Sequence, residues 1–274
     1  MQPKQSIAAT GNNLKIVSLI SVGKHPQSGR VRRADQDSRA VELGMKLLDS
    51  GNPTGGDSLV VLHAGDPKEP GLRGYAGMGL NSVQVLELDP AADAVAPLGE
   101  YLQQFAPDIV LTGVRAEGGE SSGMVPYQLA EKLGWPIVPR VADIISVEAG
   151  VAEVLQALPR GQRRSLKIRL PFIASIDSAA QDARQSAYGP ASRAMMDIEI
   201  VDSSTDQLRE NWSEAPAKKR PKRLKVIKAK TAAERFKAAT AKSQSEGGKV
   251  MQNESAAEQA QAIFDLLLEE GVLR

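Results

Sequence analysis

The chain of 274 residues carries 34 basic and 33 acidic side chains, two histidines and no cysteine. That excludes disulfides, thiolate metal sites, iron–sulfur clusters and cysteine nucleophiles, and it leaves little for a histidine-ligated metal or a Ser-His-Asp triad. A formal net charge of +1 argues against a whole-surface nucleic-acid binder, although eight of the basic groups crowd into residues 218–230.

The first thirteen residues have no continuous apolar core, so a flexible leader over 1–13 is expected rather than a secretory signal. Nowhere does the chain offer the roughly 18 consecutive apolar residues of a membrane span. A soluble protein in the cytoplasm, with no membrane insertion, is the default. Residues 14–20 (LKIVSLI) are apolar and rich in β-branched side chains, as a buried parallel strand requires. A polar loop is expected over 21–37, then an amphipathic helix over 38–48, with Val41, Met45 and Leu48 on one face, ended by the turn cluster 52–56.

Strands follow at 58–63 and 83–88, separated by a stretch at 70–79 whose four glycines weaken a helix. A helix at 95–105, a strand at 108–111, a Gly/Ser-rich loop at 113–123 and a helix at 125–133 complete the alternation. This is an α/β pattern with a mainly parallel sheet flanked by helices. Short strands at 144–147, 151–158 and 165–168 predict a small antiparallel addition, followed by a last strand at 172–176. From about 203 the composition turns to Ala, Lys, Ser and Glu, too poor in large apolar groups to bury its own core. Ser255 and Glu258 form a capping box that opens a terminal helix over 255–270, stopped by Gly271. Residues 14–202 therefore read as the domain, and 203–274 as an extended arm ending in a docking helix.

In a parallel sheet ligands lie beyond the carboxyl ends of the strands, which directs attention to the loops at 21–37, 64–70 and 113–124. The loop at 118–123 could cradle a phosphate with backbone amides, or be a turn with no ligand. Asp66, Asp177, Glu117 and Glu120 could perform acid–base work, but no nucleophile sits beside a base in the sequence. His25 and His63 could line one crevice or be ordinary loop and strand-end histidines. The basic run lacks interleaved aromatic residues, which favours a solvated linker over a nucleic-acid site.

The ordered series LKIVSLI, DSRAVELGMKLL, VLHAGDP, LRGYAGMGLNSVQVLE, PDIVLTG, QLAEKLGWP and LKIRLPFIASID resembles the β subunit of electron-transfer flavoproteins. The closing segment GGKVMQNESAAEQAQAIFDLLLEEGVLR does so as well. The resemblance implies an adenine-nucleotide α-hydrolase-like fold and an electron carrier with no bond-making catalytic residues. It implies a heterodimer with an α subunit that holds most of an FAD, and an arm reaching that partner through residues such as Ile263 and Leu267. Electrons would come from a flavin-dependent dehydrogenase and leave to a membrane quinone oxidoreductase met transiently.

In that family the β subunit usually buries an AMP. The matching positions are Leu19 and Ala64 at strand ends and Glu120, Ser121, Ser122, Gly123, Met124 and Val125 in the loop. The family's glutamine is Met124 here, its final glycine is Pro126, and Ala34-Asp35-Gln36 replaces its N-P-F segment. AMP is thus one of two outcomes for this site. The family's dehydrogenase-recognition loop falls at 183–190, where Arg184 matches and Tyr188 takes the place of an anchoring leucine, or else covers its own sheet edge. HAGDP, LPRGQRRSLK and RQSAYG look like β subunits linked to dimethylglycine and other N-methylated amino acids, which points to a demethylase as donor. The alternative from another class is a stand-alone adenine-nucleotide binding or sensing module.

Overall fold

The computed structural model describes residues 13–25, 27–50, 57–119, 121–205, 211–213, 215, 231–233, 236, 251–252 and 254–269. The chain divides into two compact units, Met1–Ser213 and Glu214–Arg274. The turn cluster at 52–56, residues 1–12 of the leader, the basic run, Glu120 and Gly271 lie outside the described residues.

In the first unit the elements run β1 (Lys15–Ile20), β2 (Val22–Lys24), β3 (Val31–Arg33), α1 (Asp35–Ser50), β4 (Ser58–Gly65) and α2 (Gly71–Ala76). They continue with β5 (Ser82–Glu87), α3 (Val95–Phe105), β6 (Ile109–Gly113), α4 (Val125–Leu133), β7 (Ile137–Glu148) and β8 (Val151–Ala157). Last come β9 (Arg163–Arg169), β10 (Phe172–Ile176), α5 (Tyr188–Arg193) and β11 (Met195–Ile200). Nine strands form one sheet in the order β11-β5-β4-β1-β6-β10-β7-β8-β9, while β2 and β3 pair in a separate hairpin. From β11 to β7 every neighbouring pair is parallel; β7-β8 and β8-β9 are antiparallel. The mainly parallel α/β sheet with an antiparallel addition is what the apolar strand runs require.

Alternation along β1 sends Ile16 and Ile20 to one face and Val17 and Leu19 to the other. On the first face α1 packs Ala40, Leu43 and Leu47 over Ile16, Ile109, Phe172 and Ala174, and α2 packs Leu72, Tyr75 and Ala76 beside Val61, Val83 and Val85. On the second, α3 and α4 set Leu98, Leu102 and Leu129 against Val17, Leu62, Val110 and Ile173.

Four features depart from the expectation. The loop at 21–37 contains the β2–β3 hairpin, and α1 begins at Asp35 rather than Ser38. The two hairpin strands, VGK and VRR, are three residues each, too short to carry a legible alternation. Strand β7 starts at Ile137, seven residues early, because Pro139 and Arg140 occupy a break in register where Ala174 pairs with Val138 and Ile176 with Val141. A proline that cannot donate is tolerated at such a bulge. Finally, β11 pairs with β5 at the sheet edge, and its mostly exposed MMDIEI does not read as a buried strand.

In the second unit α6 (Ala256–Glu269) forms behind the expected capping box. Ser255 N–H donates to Glu258 Oε2 at 2.8 Å, and Glu258 N–H donates to Ser255 Oγ at 3.4 Å.

Candidate functional site

Strand order reverses at β1. The chain builds β4 and β5 on one side of it, then returns to place β6 on the other. Beyond the carboxyl ends of β1 and β6 lies the topological switch point, the usual crevice for a ligand in such a sheet.

Here the first turn of α1 spans that crevice. Asp37, 4% exposed, accepts the Ser21 N–H at 2.7 Å and the Ser21 hydroxyl at 2.5 Å through Oδ2. Its Oδ1 accepts the Gly113 N–H at 2.9 Å. One carboxylate thus joins the ends of β1 and β6. Gln36 Oε1 accepts the Val114 N–H at 3.2 Å beside it. Glu117, from the loop after β6, accepts the Asp35 N–H at 2.8 Å and both of its oxygens meet Arg32 Nη2 at 3.1 and 3.2 Å. Tyr75 adds a third tie: its hydroxyl donates to the Ser21 carbonyl at 2.8 Å and accepts the Ala34 N–H at 2.9 Å.

Burial pushes the Asp37 carboxyl up to about 6, against the pull of its bonds to Ser21 and Gly113. Burial likewise raises the Tyr75 hydroxyl well above its ordinary range. Gly113 and Gly23 are needed for this closeness, since a methyl on either would strike the Asp37 or the Glu117 carboxylate.

The strand-end residues Leu19 and Ala64 meet in the apolar cluster on the α3–α4 face, with Leu19 7% exposed. In the loop, Ser121 Oγ donates to the Ala116 carbonyl at 2.5 Å and Ser122 Oγ accepts the Met124 N–H at 3.3 Å. Gly123 holds φ +75°, and a side chain there would meet the Val114 carbonyl oxygen. Met124 supplies no side-chain cap to α4, and it and Val125 are exposed apolar groups. Ser121 and Ser122 are therefore engaged within the loop, while Glu117 reaches out to Arg32 and Asp35.

The two histidines are not brought together in one site. His63 is buried, its Nδ1 3.0 Å from the Ile20 carbonyl, and desolvation lowers its pKa. His25 sits exposed in the hairpin turn, where Nδ1 accepts from Gln27 N–H and Ser28 N–H at 3.3 Å. Asp177 is held by Arg140 Nε at 2.9 Å, and the strand-end Asp66 caps its own turn by accepting Lys68 N–H at 2.8 Å. Among the described residues no group of three or more His, Asp or Glu could hold a metal ion, and no helix is long and apolar enough to cross a membrane.

Between β10 and α5 the chain is pinned by Arg184, whose Nε and Nη2 meet the Glu42 carboxylate at 2.8 and 3.0 Å while its N–H donates to Oε2 at 3.0 Å. Glu42 is pushed up by burial, but its bonds to Arg184 hold it below the usual carboxylate range overall. Four residues on, Tyr188 opens α5 with 88% of its surface exposed. Tyr188 covers no sheet edge. In α6, Ile263 is 61% exposed and Leu267 partly so. A cleft lined by Arg39, Glu42, Lys46, Asp143 and Gln181 offers about 50 Å³, room for water and not for a cofactor ring.

Asp37, Gln36, Arg32 and Tyr75 had no signal as site residues in the sequence. Their partners lie 16 to 85 residues away, and side chains bonding to backbone amides leave no spacing pattern.

Comparison with known proteins places this chain in a family. The electron transfer flavoprotein domain matches residues 24–204. Electron transfer flavoprotein subunit beta of Chromohalobacter salexigens is 47% identical over 277 residues, spanning 100% of both chains. YgcR of Escherichia coli K12, provisionally named as an electron transfer flavoprotein subunit, is 28% identical over 157 residues, 55% of this chain and 58% of its own. The chain belongs to the electron transfer flavoprotein family, on its β-subunit side, and is an electron-carrier subunit rather than a bond-making enzyme.

Proposed function

We propose that this chain pairs with an α subunit in a heterodimer and carries electrons through an FAD held mainly by that partner. The donor is a flavin-dependent dehydrogenase, of the type that demethylates amines or N-methylated amino acids, and the acceptor is a membrane quinone oxidoreductase. The observation that carries the reading is identity at 47% along the entire length of both chains to a β subunit. The flavin supplies the electron-accepting and electron-donating chemistry when bound, and this chain supplies contact surface. Exposed Met124, Val125 and Tyr127 beside the sheet's carboxyl edge suit one face of a ring system carried by another chain.

Tyr188 is the donor-docking residue in this reading. It is a large, stiff apolar surface with a polar tip, presented on a segment that the Arg184–Glu42 pair holds in place. The α6 face carrying Ile263 and Leu267 serves the α subunit, and residues 203–274 are its arm. Co-expression with the α subunit should give a yellow heterodimer whose flavin the demethylase reduces. A colourless monomer under those conditions would overturn the reading. In that heterodimer, Tyr188→Ala should leave melting unchanged while slowing flavin reduction by about tenfold or more at limiting donor, the scale of losing an interface anchor.

A further inference from the structure

We infer that the switch-point crevice of this chain is closed by its own carboxylates, which take the places a nucleotide phosphate would occupy, so that no adenine nucleotide binds there. This goes beyond the assignment as an electron carrier, since it concerns a second cofactor the fold family implies.

A phosphate at such a crevice is held by backbone N–H groups at strand ends and helix starts. Ser21, Asp35 and Gly113 provide those groups around β1 and β6, and each already donates to Asp37 or Glu117. A dianion entering between them would have to displace a bonded carboxylate and remain near two negative side chains, Glu117 and the buried Asp37. Arg32, the nearby cation, has Glu117 as its counter-charge. Arg32 Nε and Arg33 Nη1 are buried without a hydrogen-bond partner, yet the two residues are consecutive in a strand and point to opposite sides. They do not converge on one ligand. On the apolar side, Leu19 is packed among Val17, Leu62 and Leu86.

The residues at the ends of β1 and β6 therefore leave no amide for a nucleotide phosphate. What a bound nucleotide would do structurally, tying the β1–β4–β5 half of the sheet to the β6–β10–β7 half, is done by Asp37 and Glu117. The closure also counts against a stand-alone nucleotide sensor.

The test is read on the full-length chain, within the heterodimer or alone, so that failure to assemble does not bear on it. Nucleotide extracted by heat denaturation and quantified by chromatography should amount to far less than one equivalent. Equilibrium dialysis with labelled AMP at about 1 mM should show no saturable binding, and Tm should not move. Hydrogen exchange of nucleotide-free protein should show protection in peptides covering residues 21, 35 and 113, and Glu117→Ala should speed exchange selectively around residue 35, by about tenfold. Stoichiometric AMP in the extract, saturable binding by the wild-type chain, or fast exchange at those amides without nucleotide would each overturn the inference.

Discussion

Asp37 shows how much one side chain can set. The folded chain keeps its proton until about pH 6, whereas the unfolded chain gives it up near 3.8. Between those values the folded state binds more protons, so the stability contributed through Asp37 falls as pH rises from about 4 to about 6 and is level above that. The change is about 3 kcal/mol. His63 acts in the opposite sense: its lowered pKa means the unfolded chain protonates first, and stability is lost as pH falls below about 6.5. The difference between Asp37→Asn and wild type isolates the carboxylate. Urea unfolding should show that difference shifting in favour of the variant by about 3 kcal/mol between pH 4 and pH 7. A difference independent of pH would mean that Asp37 does not titrate in this range. Arg184 faces a buried carboxylate, Glu42. Arg184→Met leaves that carboxylate without its counter-charge, so it should lower Tm and also raise the donor KM by freeing the segment that presents Tyr188. Stability is followed by melting and docking by flavin reduction, and together they separate it from Tyr188→Ala.

Elements were legible in the sequence where they bury apolar area in a regular pattern, and illegible where polar bonds hold them. The helix at Val95–Phe105 and the strand at Phe172–Ile176 have the bounds their apolar residues predict, because each buries a continuous face. The β2–β3 hairpin was hidden because its backbone-paired strands are only three residues each, and β11 because an edge strand need not hide its side chains. The candidate site was legible as a region, the loops beyond β1 and β6, but not as residues. Ser121, Ser122 and Gly123 build the loop's own turn, while Asp37 and Tyr75 work through distant amides and carbonyls. In α6 the capping box was readable because it is local. Ser255→Ala with Glu258→Gln should therefore lower helicity of the arm by circular dichroism and leave the Tm of the first unit unchanged.

For the whole molecule, the division at Ser213 and Glu214 predicts separable behaviour. Deleting residues 214–274 should leave a chain that melts cooperatively near the wild-type Tm but no longer co-purifies with an α subunit; normal co-purification would assign the arm another purpose. Within the first unit, β10 has its own consequence for how the chain is made. Strand β6 ends at Gly113 and β7 begins at Ile137, yet neither pairs with the other; both pair with β10, whose five residues are all buried. During synthesis β7, β8 and β9 emerge first and can form only a meander with one unsatisfied edge, while β6 waits with another. Until Phe172–Ile176 leaves the ribosome the sheet is two pieces with sticky borders, a non-local closure of the kind that slows folding. A nascent chain stalled in the preceding stretch is thus a ready substrate for chaperones or for misassociation, and the moment of commitment belongs to a five-residue strand.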